Sequence, residues 1–305
     1  MTGVVPVALY VIIVALLVPP LLRRARWVVR APRVAITLWL ALPASALMGS
    51  YLLGCRLTEA AAWGCCRPSD SGTWEAAAGL LPLMVQAVLW VAVPGWVIGV
   101  VCLDACLMWR RRRRHAETLD LLGDPLFTRG CRALAIDHHA PAVYCVAAKG
   151  GRVVLTTAAL DLLSDRELSA VVEHEKAHLR GHHSLLTTAA ASVARALPTV
   201  PVFSYAGPEV ARLVEMAADD AAARRVSKEF VARGLARLVV TGGALEQVAP
   251  VALGATGADA AERINRLLDL GNAERKRSAA AGGGALMALV AIPASAAVAV
   301  AAYWC

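Results

Sequence analysis

Charged side chains are scarce in this sequence. Asp, Glu, Lys and Arg make up 18% of its 305 residues, whereas 58% are hydrophobic and the mean hydropathy is +0.57. This balance excludes an ordinary soluble domain. The excess lies in four apolar segments, at residues 4–22, 34–53, 79–109 and 279–303. Each is about long enough to cross a bilayer, and runs of this length are poorly explained as buried core helices. The sequence therefore predicts a mainly α-helical membrane protein with four transmembrane helices.

Two further absences narrow the class of protein. No basic residue precedes the first apolar segment and no small-x-small site follows it, so we do not expect a cleaved signal peptide. The sequence contains no motif of a glycine-rich phosphate-binding loop. The three glycines at 282–284 are better explained as a flexible or close-packed entry to the fourth segment. No nucleotide-binding motif therefore competes with the motif described below.

Basic residues give the chain its net charge of +8. They cluster at 23–33, 110–114 and 275–277. Because positive residues stay on the cytoplasmic side, this pattern predicts a multi-pass protein of the cell membrane. Both termini and the loop 54–78 are predicted outside, and residues 110–278 form a cytoplasmic domain. The clusters then serve orientation and contact with anionic lipids, so we expect no direct nucleic-acid binding.

The cysteines divide along the same map. Four fall on or near the predicted outer side: Cys55, Cys65, Cys66 and Cys305. Disulfides can persist there, but the spacing leaves both bridged and free thiols open. Cys131 and Cys145 fall in the cytoplasmic part and are predicted to be free thiols.

The cytoplasmic part contains His-Glu-x-x-His at residues 174–178. On a helix, His174 and His178 project from one face and can hold one Zn²⁺, with Glu175 beside the metal as a general base. A capping box formed by Ser164 and Glu167 is predicted to begin this helix. A strand at 152–156, paired with 141–147 across a glycine turn, lies just before it. Zinc peptidases bind an extended substrate along such a strand.

A third zinc ligand has to come from elsewhere in the chain. The metzincin pattern needs a histidine at position 184, and Ser184 stands there. Glu215 and Asp219 share a face of a predicted helix, so one carboxylate can ligate zinc while the other orients a histidine. The alternative is a solvated acidic face paired with Arg224 and Arg225. The residue that contacts a developing oxyanion stays open among three candidates: His182, His183 and Tyr205.

With these motifs, the chain resembles the BlaR/MecR-type membrane zinc peptidases, the β-lactam-sensing antirepressors. Beside the order of spans and catalytic domain, four segments carry the resemblance: 160–168 (LDLLSDREL), 174–180 (HEKAHLR), 215–220 (EMAADD) and 263–268 (RINRLL). The motifs are shared with the heat-shock and CAAX-type membrane zinc peptidases. The resemblance implies that His174, His178 and Glu215 bind zinc, that Glu175 is the catalytic base, and that Asp219 is a partner of a ligand. It also departs in one respect, because those antirepressors carry a penicillin-binding sensor after the fourth span and this sequence stops at Cys305.

The whole sequence thus predicts three transmembrane helices in residues 1–109, an α+β zincin-like peptidase domain in 110–278 and a fourth helix in 279–305. We expect an integral-membrane zinc endopeptidase with one Zn²⁺ per chain. Its expected substrate is a cytoplasmic protein, such as a transcriptional repressor, in a signalling pathway. A quality-control peptidase for membrane proteins and a non-catalytic membrane scaffold remain alternatives, although an intact Glu175 argues against a scaffold.

Overall fold

The computed structural model describes residues 4–65, 84–85, 91–128, 130–148, 150–241 and 257–268. The described chain is mainly helical and divides into two compact units. One contains Met1–Leu103 and Ala189–Glu209, and the other contains Asp104–Thr188 and Val210–Glu274, each within the described ranges. The predicted domain boundaries at 109/110 and 278/279 stay predictions.

The first unit is built from apolar helices. Helix α1 (Val4–Ile12) continues through a π-helical turn (Ile13–Leu17) into α2 (Val18–Arg24), and α3 (Pro32–Cys65) follows. Helix α4 (Val93–Leu122) begins in this unit and ends in the other. The largest fully buried side chain is Trp39 of α3, so these helices pack on one another through large apolar groups.

Among the described residues, three helices are long and apolar enough to cross a membrane, which indicates a membrane protein. They are Val4–Arg24, Pro32–Leu57 and Val93–Leu122. The first two match predicted spans, and the third starts later than the predicted 79–109 and runs past it. The fourth predicted span, 279–303, lies outside the described residues.

The second unit is organised on a four-stranded sheet. Its strands are β1 (Asp124–Thr128), β2 (Cys131–Ile136), β3 (Val143–Val146) and β4 (Arg152–Thr156), in the order β1-β2-β4-β3. Strand β3 pairs antiparallel with β4, Cys145 opposite Val153, which confirms the predicted hairpin. Strands β1 and β2 extend the sheet beyond the prediction, and β2 runs parallel to β4. β3 is the outer strand on one side of the described sheet.

Helices cover both faces of this sheet. Ala116 and Leu119 of α4 pack with Val154 on one face, and the opposite face carries Val153 and Leu155. That second face packs on α6 (Asp165–Arg180), which follows the short helix α5 (Thr157–Leu162). Because successive strand residues point to opposite faces, the run Val153-Val154-Leu155 is buried on both sides and lacks a polar alternation.

Five more helices complete the description. They are α7 (His183–Ala196), α8 (Pro201–Ser204), α9 (Ala206–Ala223), α10 (Lys228–Thr241) and α11 (Gly257–Leu268). Ala170 of α6, Ala222 of α9, Val231 of α10 and Leu267 of α11 share one core cluster. A Cβ on Gly234 would lie 2.9 Å from Val171 Cγ2, so a glycine lets α10 approach α6 closely. This packing fixes α9 and α11 beside α6.

Candidate metal centre

Helix α6 carries the two histidines. Its start is fixed by the predicted capping box, in which Ser164 N donates to Glu167 Oε2 at 2.9 Å and the Ser164 hydroxyl donates to the same oxygen at 2.7 Å. The helix continues to Arg180, so the four-residue spacing sets His174 and His178 on one face. Their Nε2 atoms lie 3.0 Å apart.

Glu215 of α9 completes the cluster. Its Oε2 lies 3.4 Å from His174 Nε2, and its Oε1 lies 3.4 Å from His178 Nε2. One ligand atom from each of the three residues lies within 4.8 Å of the others, so they could hold a metal ion. The three side chains are 12%, 12% and 17% exposed, which leaves the cluster accessible at the edge of the core.

Asp219 lies one helical turn after Glu215 and is completely buried. Its Oδ1 lies 3.0 Å from His174 Nδ1. Arg263 of α11 binds the Asp219 carboxylate through Nε and Nη2, at 2.7 and 2.8 Å, and its Nη1 lies 3.0 Å from Glu215 Oε2. A solvated acidic face, the alternative from the sequence, does not fit a carboxylate that is enclosed in this way.

The electrostatics of the cluster follow from burial and from these contacts. Burial would raise the pKa of Glu215, but His178, His174 and Arg263 outweigh it and hold that pKa at about 2. Burial would lower the pKa of His174, but hydrogen bonds to Asp219 and Glu215 raise it to about 10. Burial is the largest effect on His178 and lowers its pKa to about 4. At pH 7, His178 is therefore neutral and His174 holds a proton.

The turn after α6 brings a further histidine to the cluster. His183 is 8% exposed, and its Nδ1 lies 3.1 Å from His178 Nδ1. Its ring packs so closely on Gly181 that a Cβ there would lie 2.4 Å from His183 Nε2. His182, between them, has a φ of 48° and an exposed side chain. His183 thus faces the ring nitrogen of His178 that points away from the ligand atoms, which favours a positioning role over the predicted contact with an oxyanion.

Glu175 lies next to the histidines and against strand β3. It accepts hydrogen bonds from the thiol and the backbone N–H of Cys145. Burial, the largest effect, raises the pKa of Glu175, and the charge of His174 opposes it. Burial together with the charge of Glu175 also raises the pKa of the Cys145 thiol, so this cysteine is neutral.

Tyr205, the third oxyanion candidate from the sequence, belongs to the other compact unit. There the Arg23 guanidinium lies 4.5 Å from the centre of the Tyr205 ring. Arg23 also pairs with the buried Glu209 at 3.0 Å. The described contact of Tyr205 is thus with the end of the first apolar helix.

Comparison with known proteins gives one family. The model of peptidase family M48 matches residues 114–270, which is just over half of the chain. The chain belongs to peptidase family M48. No curated protein and no solved structure matches it. M48 membership implies a metalloprotease, and with the three apolar helices it identifies a membrane metallopeptidase.

The matched M48 region contains two residues of the site that no motif indicates, Cys145 and Arg263. The alternation of side chains along β3 indicates the direction of Cys145. Tyr144 and Val146 pack towards α4, so Cys145 points to the opposite face of the sheet. Arg263 lies in the RINRLL segment, but only the packing of α11 on α9 reveals that it binds Asp219.

The donor set of this M48 chain fits zinc, the metal of the family. Two imidazole nitrogens and one carboxylate are the ligands of an open catalytic zinc site. Both histidines have a partner on Nδ1, Asp219 for His174 and His183 for His178, so Nε2 of each is directed to the shared point.

Proposed function

We propose that this chain is an integral-membrane zinc endopeptidase that cuts a cytoplasmic protein, with His174, His178 and Glu215 as ligands and Glu175 as base. The observation that carries the proposal is the convergence of those three ligand atoms within 4.8 Å, next to Glu175 of α6, which contacts the outer strand β3. A structural zinc site is closed by four protein ligands and needs no general base. The geometry therefore favours catalysis over a scaffold.

Each residue of the site has a separate role in peptide hydrolysis. A bound Zn²⁺ would polarise the scissile carbonyl and lower the pKa of a water molecule. Glu175 accepts the proton of the attacking water and delivers it to the leaving amine, and a raised pKa suits both steps. Asp219, supported by Arg263, and His183 hold the two imidazoles in orientation.

The substrate strand has a natural place beside β3. Strand β3 is an outer strand of the described sheet, and its Cys145 contacts Glu175. An extended peptide that adds to β3 gains main-chain hydrogen bonds and brings its carbonyl to the metal cluster. Main-chain recognition of this kind suits an endopeptidase.

The cytoplasmic position and the regulatory substrate are the further parts of the proposal. The basic clusters at 23–33 and 110–114 flank apolar helices, and the positive-inside rule sets residues 110–278 in the cytoplasm beneath four spans. The four shared segments support an antirepressor of the BlaR/MecR type, whose substrate is a transcriptional repressor.

Comparative proteomics of cells that carry the wild type, Glu175→Ala or Glu229→Ala tests this function. Glu229 is a control because its side chain is 61% exposed on α10 and pairs with Arg233. A repressor that is cut by the wild type and by Glu229→Ala after an envelope stress, and stays intact with Glu175→Ala, supports the proposal. Accumulation of many unrelated membrane proteins with Glu175→Ala supports quality control instead. Identical proteomes in all three strains contradict catalysis.

A further inference from the structure

Arg112, in the second half of α4, reaches across to the start of α7. Its Nη1 donates to Ser184 Oγ at 3.1 Å, and its Nη2 donates to Ser184 O at 3.2 Å and to Thr188 Oγ1 at 3.3 Å. All three acceptors are neutral oxygen atoms. The side chain is half-buried, so its position is fixed by these contacts.

Within the described part of the chain, the charge of Arg112 has no acidic partner. Its neighbour Arg113 pairs with Glu117 at 3.2 Å, and Arg152 pairs with Asp120, but no carboxylate of the described residues forms an ion pair with Arg112. Of the five N–H donors of a guanidinium, Nε–H and one on Nη1 are left. A bound carboxylate could accept hydrogen bonds from these remaining donors and supply a counter-charge for the guanidinium.

The surroundings of Arg112 lead to the metal centre. Ser184 directly follows His183, which contacts His178. One turn further along α4, His115 Nε2 lies 3.3 Å from the hydroxyl of Tyr144 on β3. Arg112 therefore lies beside the strand on which the substrate is proposed to bind.

From this geometry we infer that Arg112 binds a carboxylate of the substrate and gives the peptidase a preference for an acidic residue close to the scissile bond. The inference rests on the proposed function, which it deepens by naming a substrate class. An extended peptide advances about 3.3 Å per residue, so moving the acidic residue one position at a time along the peptide locates the position that Arg112 reads. A phospholipid headgroup is the rival anion, but Arg112 contacts Ser184, which directly follows His183 of the site.

Pairs of quenched fluorescent peptides that differ only by Glu or Gln, at each position around the cut, test this in the purified full-length protein. The proteins are the wild type, Arg112→Gln and the control Arg113→Gln, whose native side chain is 59% exposed. We expect the wild type and Arg113→Gln to prefer Glu at one position by roughly 10- to 100-fold in kcat/KM, the range of a charge-assisted hydrogen bond. Arg112→Gln should lose the preference, because kcat/KM on each Glu peptide should fall to its value on the matched Gln peptide.

Fluorescence anisotropy with the same peptides, on Glu175→Ala with and without Arg112→Gln, measures binding separately from turnover. Tighter binding of Glu peptides that depends on Arg112 supports the inference even where no cleavage occurs, an outcome that contradicts only the proposed function. Indifference of the wild type to Glu and Gln overturns the inference, as does an equal loss on both peptides in Arg112→Gln. An effect of Arg112→Gln seen only in phosphatidylglycerol vesicles, and not in neutral ones, assigns Arg112 to lipid and also overturns it.

Discussion

At the level of single residues, the geometry of the metal centre depends on the side chains that contact its two histidine ligands. His174 is held by Asp219, which Arg263 fixes through two hydrogen bonds, and His178 is held by His183. Such outer contacts fix the ring orientation and raise the basicity of a ligand. The cluster is therefore preorganised by residues that do not themselves contact a metal.

Asp219→Asn tests this arrangement. The amide keeps the size of the side chain but loses the charge that orients His174, so zinc affinity should fall roughly 10- to 100-fold. Glu215→Ala should lower it further, because a ligand is removed. Asp220→Asn is the matched control, since Asp220 pairs with Arg266 at 2.6 Å and does not belong to the cluster. A chelator competition assay measures the affinities, and equal losses at 219 and 220 would contradict the role of Asp219.

Zinc binding should release a proton. Below its raised pKa of about 10, His174 is protonated in the metal-free site, whereas His178, at about 4, and Glu215, at about 2, are already free to ligate. Zinc has to displace the proton of His174, so its affinity should rise with pH, about tenfold per unit, between pH 6 and 9. Calorimetry in buffers of different ionisation enthalpy should show about one proton released per zinc at pH 7. A release of none or of two would contradict this assignment.

At the element scale, α6 depends on its first turn. Glu167 is 3% exposed, and although burial opposes its charge, the hydrogen bonds from Ser164 and the charge of Arg237 lower its pKa. The same helix is clamped between the sheet and α10, through Val153 on one side and Gly234 on the other. The register of the two histidines is thus set by a cap and by two packed surfaces.

Ser164→Ala should destabilise the protein by about 1 kcal/mol, because it removes the hydroxyl of the capping box. Ser169→Ala, in the middle of the same helix, should be neutral or slightly stabilising, since alanine has the higher helix propensity. Denaturant unfolding of the zinc-loaded protein in detergent, followed by helical circular dichroism, compares the two. A larger loss at 169 than at 164 would show that the cap does not limit the stability of α6.

At the scale of the whole molecule, apolar helices and a peptidase region share one chain. Val4–Arg24, Pro32–Leu57 and Val93–Leu122 can cross a membrane, and the M48 region begins at residue 114, inside the third of these helices. The sheet of this region packs on that same helix, through Ala116 and Leu119. A candidate membrane span thus continues directly into the core that supports the metal centre.

The proposed topology predicts the outcome of cysteine labelling in intact cells. A membrane-impermeant maleimide should label Ser71→Cys above the background of the native cysteines and should spare Asp161→Cys, an exposed position on α5. Permeabilised cells should label both, which shows that both sites are reactive. The reverse pattern would set the catalytic region outside the cell and exclude a cytoplasmic substrate.

Features that depend on local spacing could be predicted from the amino-acid sequence. The four-residue spacing of His174 and His178, the capping box at Ser164 and the β3–β4 hairpin are all short-range patterns, and the structure contains each of them. The apolar helices likewise follow from composition along the chain. A helix or a hairpin is decided within a few residues, which is why these elements could be predicted.

The contacts between distant segments follow from tertiary packing. Glu215 and Asp219 were recognised as neighbours on one helix, but the packing of α9 against α6 brings one to both histidines and the other to His174 alone. Arg263 and Arg112 come from two further elements and carry no local signal of their positions. Alternation along β3 sets the direction of Cys145 but not its contact with Glu175. Long-range contacts of this kind depend on how the core buries each face, and no spacing within one segment encodes them.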